Sequence, residues 1–275
     1  MKRLINQRPR RGLAVVLGLL PFLALLVVYV IASDARLAAN PNDKLLPSFA
    51  SFGDAIVRMA IEPDQRSGKV LLWADTIASL KRLALGVGVS ALLGVVVGVA
   101  LGALPLVRAG LAPFVASLSL IPPMAVLPIL FIVFGLGELS KVVLIVFGIA
   151  PFIVRDLQQR VQELPREMLV KAQTLAGNTW QIILRVVLPQ VLPRLIDAVR
   201  LSLGAAWLFL IAAEAIAATE GLGYRIFLVR RYLAMDVILP YVVWITLLAY
   251  LTDLGLRQLS RLAFPWYHHA QRDDT

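Results

Sequence analysis

Long apolar runs, repeated along almost the whole chain, restrict what it can fold into more tightly than any other feature. They fall at 12–32, 83–104, 111–134, 142–154, 201–218 and 237–256. A helix needs about 20 largely apolar residues to cross a bilayer core. Inside lipid every backbone N–H and C=O must be satisfied within the chain, which leaves helices as the spanning element for runs of this kind. The expected class is an all-α membrane protein with about six transmembrane helices. Composition agrees: 59% of the residues are hydrophobic and 16% charged, against about 25% charged in soluble domains.

The first run follows Lys2, Arg3, Arg8, Arg10 and Arg11, so a signal peptide is the competing reading. Its core exceeds the roughly 7–15 residues of a signal h-region, and a retained first span is expected. The chain then divides into a basic cytoplasmic N-terminus (1–11), the first span (12–32), a periplasmic loop (33–78), a core of the remaining spans (79–264) and a cytoplasmic tail (265–275). Asn40-Pro41-Asn42-Asp43 and Pro63-Asp64 mark the loop, which has room for one short amphipathic helix around 52–61.

The net charge of +10 raises the question of nucleic acid, but the cations lie mostly between apolar runs. That placement orients membrane helices. With the N-terminus inside, Arg108, the segment 155–200, Arg257 and Arg261 are inside too, and both termini are cytoplasmic. Lys81 with Arg82, and Arg225 with Arg230 and Arg231, oppose this count; Asp75, Glu220 and Asp236 beside them soften the objection. There is no cysteine, so thiolate chemistry is excluded, and the histidines, His268 and His269, are adjacent in the polar tail. No metal site, cofactor site or catalytic constellation is expected.

Three features inside the apolar runs carry more than hydrophobicity. Gly86, Ser90, Gly94, Gly98 and Gly102 recur every fourth residue and place small side chains along one helix face, a surface for close helix contact within the chain or with a sister subunit. Ser119-Leu120-Ile121-Pro122-Pro123-Met124-Ala125-Val126-Leu127-Pro128 must bend or break its helix, because each proline removes a donor and clashes with the carbonyl four residues earlier. The break is either a structural kink or part of a translocation pathway. Glu214 is a carboxylate inside a span, which requires a partner or a watery cavity. It either lines a path or gate, or pairs with Arg225 or Arg230.

The segment 155–200 reads as two short amphipathic helices. Pro165 and Glu167 suit the first turn of one, with Met168, Ala172 and Leu175 on its apolar face. Gly177-Asn178 breaks the chain, Thr179 can cap the second helix, and Trp180, Ile183, Leu184 and Val187 form its face before Pro189 stops it. Such a pair at a membrane surface needs a partner, lies on lipid, or resembles a DNA-binding helix-turn-helix by chance.

Here the chain resembles the inner-membrane permeases of ABC importers. Their signature loop reads Glu-Ala-Ala, three residues, Gly, nine residues, then Ile-x-Leu-Pro. Val186-Val187-Leu188-Pro189 supplies the last element, so Val170-Lys171-Ala172 falls at Glu-Ala-Ala and Ala176 at the glycine, with Gly177 one place late. Ile121-Pro122-Pro123 with Leu127-Pro128, Phe134-Gly135-Leu136-Gly137-Glu138-Leu139-Ser140-Lys141, and Glu220-Gly221-Leu222-Gly223-Tyr224 narrow the resemblance to the nitrate, sulfonate and taurine branch.

The resemblance implies the type I importer permease (MetI-like) fold in a bacterial inner membrane. It also implies a second permease copy, two ATPase subunits and an external substrate-binding protein. It makes Lys171, Ala172, Leu175, Ala176, Gly177, Trp180, Leu188 and Pro189 the ATPase-coupling loop. Pro122, Pro123, Pro128, Glu214, Glu220, Gly221 and Gly223 are then candidates for the path or gate. The chain has no G-x-x-x-x-G-K-[ST] loop, so ATP is expected on the partner. An ion-driven secondary transporter is the alternative; it favours inverted repeats with matched broken helices, whereas one proline-broken span and no clear repeat are found. A membrane-anchored scaffold would leave the proline break and Glu214 without purpose.

Overall fold

A computed structural model of the protein describes residues 11–41, 43–65 and 67–267. The basic residues Lys2, Arg3, Arg8 and Arg10, the loop residue Asn42 and the tail residues His268 and His269 lie outside them. The described residues form helices joined by short connections.

Helix α1 (Arg11–Ala39) is apolar and exposed over its spanning window. Among the described residues its C-terminal part is tethered: Tyr29 Oη donates to the Pro47 carbonyl at 2.7 Å and Ser33 Oγ to that of Leu46 at 2.9 Å. Helix α2 (Phe49–Ala60) is the amphipathic helix expected in this loop, capped by Ser48, whose hydroxyl accepts from Ser51 N–H. It lies beside the starts of α3 (Leu71–Leu93) and α12 (Met235–Ala263), where Trp73 donates to the Ala60 carbonyl and Arg58 faces Asp236.

Helix α3 continues through a π turn at Gly94–Gly98 into α4 (Val99–Ala103). The stripe of small residues packs on α7 (Glu138–Gln162) of the same chain. A Cβ on Gly86 would meet Ile145 at 2.7 Å, one on Gly94 would meet Ile153, one on Gly98 would meet Leu157 at 2.9 Å, and one on Gly102 would collide with Val161. Each advance of four or eight residues along α3–α4 is matched by the same advance along α7. The two helices are therefore parallel and in fixed register, held by close packing, the main associative force between helices in lipid.

Between these parallel helices the chain must return. It does so through α5 (Pro105–Leu118) and α6 (Pro123–Phe134), which meet at 95°. The bend falls where the prolines require it: Pro122 is the N-cap of α6, Pro123 its first residue, and Pro128 lies inside it.

Helix α10 (Leu188–Ala217) runs against α3 and α7, since Glu214 lies on Arg82 while Leu195 lies near Gly94. Helix α12 reverses again: Tyr241 meets Asp75 at one end, and Asp253 meets Arg200 further along. One end of the bundle thus gathers Asp75, Arg82, Glu138 and Glu214. The other holds Gly102, Val161 and the helices α8 (Arg166–Thr174) and α9 (Thr179–Ile182).

Two expectations need correction. Among the described residues four stretches are long and apolar enough to span, at Gly12–Ala39, Leu71–Ala103, Thr179–Ala217 and Met235–Ala263, and the bent α5–α6 pair makes a fifth. The expected sixth, at 142–154, lies in α7. Polar residues at both ends lower its apolarity, and its Leu144, Ile145, Ile149, Ile153 and Leu157 are buried against protein. Nor does Pro189 stop the second loop helix. A π turn at Ile183–Val187 precedes it and carries α9 into α10. The wider turn relieves the clash that proline makes with a regular helix.

Candidate functional site

Successive turns of α3 present Asp75, Ser79 and Arg82 on one face, all buried. Opposite them, α10 ends and the loop Glu220-Gly221-Leu222-Gly223 leads into α11 (Leu222–Arg230). Consecutive backbone N–H groups of this loop find side-chain acceptors: Gly221 donates to Asp75, Leu222 to Ser79 Oγ and Gly223 to Glu214, each at 2.9 Å. Gly221 has φ of +129°, and a Cβ there would lie 2.6 Å from the Glu214 carboxyl carbon and 2.7 Å from an Arg82 nitrogen. Only glycine combines that backbone with that approach.

The charges balance. Glu214, fully buried, accepts from Arg82 at 2.7 Å and from Ser79 Oγ at 2.7 Å. Arg82 also donates to the Glu220 carbonyl at 2.8 Å and, through its other nitrogens, to Glu138, which Lys141 contacts at 2.9 Å. Asp75, also fully buried, is held by Arg225 at 2.8 Å and by the Tyr241 hydroxyl at 3.2 Å. Glu214, Asp75 and Glu138 thus face Arg82, Arg225 and Lys141, the pairing that makes buried ions tolerable.

The cluster revises the reading of Glu214. Its cation is Arg82, while Arg225 is engaged by Asp75 and Arg230 lies over the Phe227 ring. In the sequence Asp75 and Arg82 counted only as loop charges and Ser79 not at all, because the apolar run starts at Leu83. Their i, i+4, i+7 spacing was the available signal. Glu220 contributes its carbonyl to the cluster.

Pro122 and Pro123 lie at the helix break, beside a cavity of about 630 Å³. Leu118, Ser119, Ile121 and Pro123 line one side, and α7 supplies Gly148, Pro151, Arg155 and Gln159 among others. Pro151 removes the donor that would have met the Phe147 carbonyl, and both residues line this space. Pro128 is inside α6, away from that lining.

At the far end, α8 terminates in a Schellman motif. Gly177 N–H donates to the Ala172 carbonyl at 3.1 Å and Ala176 N–H to that of Gln173 at 2.9 Å. Ala176 occupies the left-handed position with φ of 59°, the place where glycine is favoured. Gly177 is required for a different reason: a Cβ there would stand 2.8 Å from the Ala172 carbonyl oxygen. Pro165 is the N-cap of α8, one residue before the helix begins. The cap of α9 is Asn178, not Thr179, in a box with Gln181, because the side chain before the first helical residue reaches the free N–H groups. Val170, Leu175, Trp180 and Leu184 are exposed, Leu175 to 84%. Lys171 is exposed as well, while Leu188 and Pro189 are half-buried in the start of α10.

The family model for the binding-protein-dependent transport system inner membrane component matches residues 90–263. The taurine transport system permease protein TauC of Escherichia coli (strain K12) is 38% identical over 200 residues, 73% of each chain. The putative aliphatic sulfonates transport permease protein SsuC of Bacillus subtilis (strain 168) is 30% identical over 188 residues, 68% of each. Among solved structures, an inward-facing MetNI methionine ABC transporter chain superposes with a TM-score of 0.59 at 23% identity, covering 72% of this chain and 99% of that one.

Proposed function

The chain belongs to the family of binding-protein-dependent transport system inner membrane components, and we propose that, as the permease of an ABC importer, it passes a small oxyanionic solute, a sulfonate foremost. One observation carries the mechanism. From Thr179 to Ala217 the chain is a single helical stretch of 39 residues. Its first turns belong to the exposed loop α8–α9, and its last turn holds Glu214 in the charge cluster. A displacement of the loop is therefore transmitted to the far end of the bundle without an intervening hinge loop.

The loop seats on an ATPase subunit through Val170, Leu175, Trp180 and Leu184, whose apolar surface is left exposed by the described residues. Two such ATPases, a second permease copy and an external binding protein complete the assembly, and ATP is bound by the partner. The loop end faces the cytoplasm with both termini. The positive-inside bias supports this, as does Tyr267, which donates to Asp197 at 3.1 Å on the loop side of the bundle. The cluster then closes the outer end, where the binding protein delivers solute.

The test is co-purification with uptake. A tagged wild-type chain is expected to retain its ATPase, and Trp180→Glu or Ala172→Glu to release it and abolish uptake. Retention and transport by both variants would refute the coupling role. Transport of sulfonates and other oxyanions by the wild type tests the substrate class separately.

A further inference from the structure

The cavity at the α5–α6 break holds a cation that the fold leaves largely unengaged. The Arg155 side chain is exposed and makes one hydrogen bond among the described residues, from Nη1 to Ser119 Oγ at 2.8 Å. It is in none of the ion pairs found there. The neighbouring carboxylate on the lining, Asp156, faces Arg160 at 3.7 Å, and Arg160 also meets Glu163 at 3.0 Å. Arg82, Arg200 and Arg225, by contrast, are each committed to a carboxylate.

The surroundings suit an anion in transit. Phe147, Phe152 and Phe209 supply apolar wall, while Gln158, Gln159 and Gln162 supply amides. A single guanidinium beside low-dielectric walls concentrates anions and repels cations. Its remaining N–H edge matches two oxygens of a planar or tetrahedral oxyanion. Ser119 belongs to the broken segment between α5 and α6, so its bond ties the orientation of Arg155 to the geometry of the break.

We infer that Arg155 is the oxyanion contact of the translocation path, meeting the sulfonate or equivalent headgroup of the solute at the α5–α6 break. This rests on the importer reading above and adds the residue that reads charge. The same guanidinium chemistry fits a lipid phosphate, so the test must separate the two sources of oxyanion.

The complete transporter is reconstituted with wild-type, Arg155→Gln, Arg155→Lys or Arg155→Met permease, in vesicles of phosphatidylcholine alone or with phosphatidylglycerol. Uptake of taurine, nitrate and bicarbonate is measured with ATPase stimulation by loaded binding protein. For whichever of these the wild type imports, Arg155→Gln is expected to lower the maximal rate about tenfold in both vesicles, the scale of one lost charged hydrogen bond. Half-saturation by loaded binding protein stays unchanged, and Arg155→Lys restores most of the rate.

Undiminished uptake by an assembled Arg155→Gln transporter overturns the inference and leaves the importer reading standing. A deficit confined to phosphatidylglycerol vesicles assigns the guanidinium to lipid and overturns it as well. Should Arg155→Gln fail to assemble, Arg155→Met, which keeps an apolar stem without the charge, takes its place, and undiminished uptake by it overturns the inference instead. A wild type that imports none of the three probes defeats the substrate class and this inference together.

Discussion

Replacing Glu214 with Gln tests the charge cluster most directly, because the structure supplies its own control in Glu138. Both carboxylates pair with Arg82, but the Glu214 side chain is 0% exposed and that of Glu138 is 64% exposed. Glutamine keeps the shape of Glu214 and turns one acceptor into a donor. That donor must then face Arg82 at 2.7 Å or the Gly223 N–H at 2.9 Å, both donors themselves. Breaking a buried pair by removing one partner costs about 3–5 kcal/mol. Glu138 is solvated, but its partners Arg82 and Lys141 are each 4% exposed, so Glu138→Gln falls between the roughly 1 kcal/mol of an exposed pair and the buried value. At about 2–4 °C per kcal/mol for a chain of this size class, Glu214→Gln lowers the melting temperature by about 6–20 °C and Glu138→Gln by less. Thermal unfolding of the purified transporter in detergent, followed by size-exclusion chromatography, reads both. Equal shifts for the two variants, or none for Glu214→Gln, would refute the view that the buried member anchors the cluster.

Gly98→Ala should cost about 1–3 kcal/mol, the overpacking range, since its Cβ meets Leu157 and the Val154 carbonyl; Gly88→Ala, with open space around it, should be neutral or gain helix propensity. The same melting assay compares them. Gly221→Ala should be worse than either, because it adds a left-handed-side backbone cost of about 1–3 kcal/mol to a collision with the Glu214–Arg82 pair. Ala176→Gly should stabilise α8 by up to about 1 kcal/mol by relieving the left-handed alanine; proteolytic nicking of the loop, slower in the variant, measures it. Trp180→Ala should leave the melting temperature of the isolated permease unchanged, as that side chain is 69% exposed, while weakening retention of the ATPase.

Local chemistry made much of the fold legible. The proline run at 122–128 announced a break because proline's missing donor and its steric clash act within one turn, and the break is there at 95°. The four-residue spacing from Gly86 to Gly102 announced a close-packed face for the same reason of helical period. Gly177-Asn178 announced the stop between α8 and α9. Where local rules competed, they misled: Pro189 looked like a terminator, yet a π turn just before it absorbs the strain, and Thr179 looked like a cap although Asn178 takes that place.

The sequence by itself determined that this is a helical membrane protein, which helix face is smooth enough for close contact, and where one span must fracture. Those follow from hydrophobic length, residue volume and backbone donors, all properties of neighbouring residues. Only the tertiary structure decided what the smooth face touches, an α7 lying parallel within the same chain. It also decided that Glu214 answers to Arg82, which lies 132 positions away in the chain, and that Arg155 is left facing a cavity. The physical reason is the same in each case. A buried charge is satisfied by whichever opposite charge the packing brings within about 3 Å, and packing over such separations is set by the register of whole helices rather than by any local pattern.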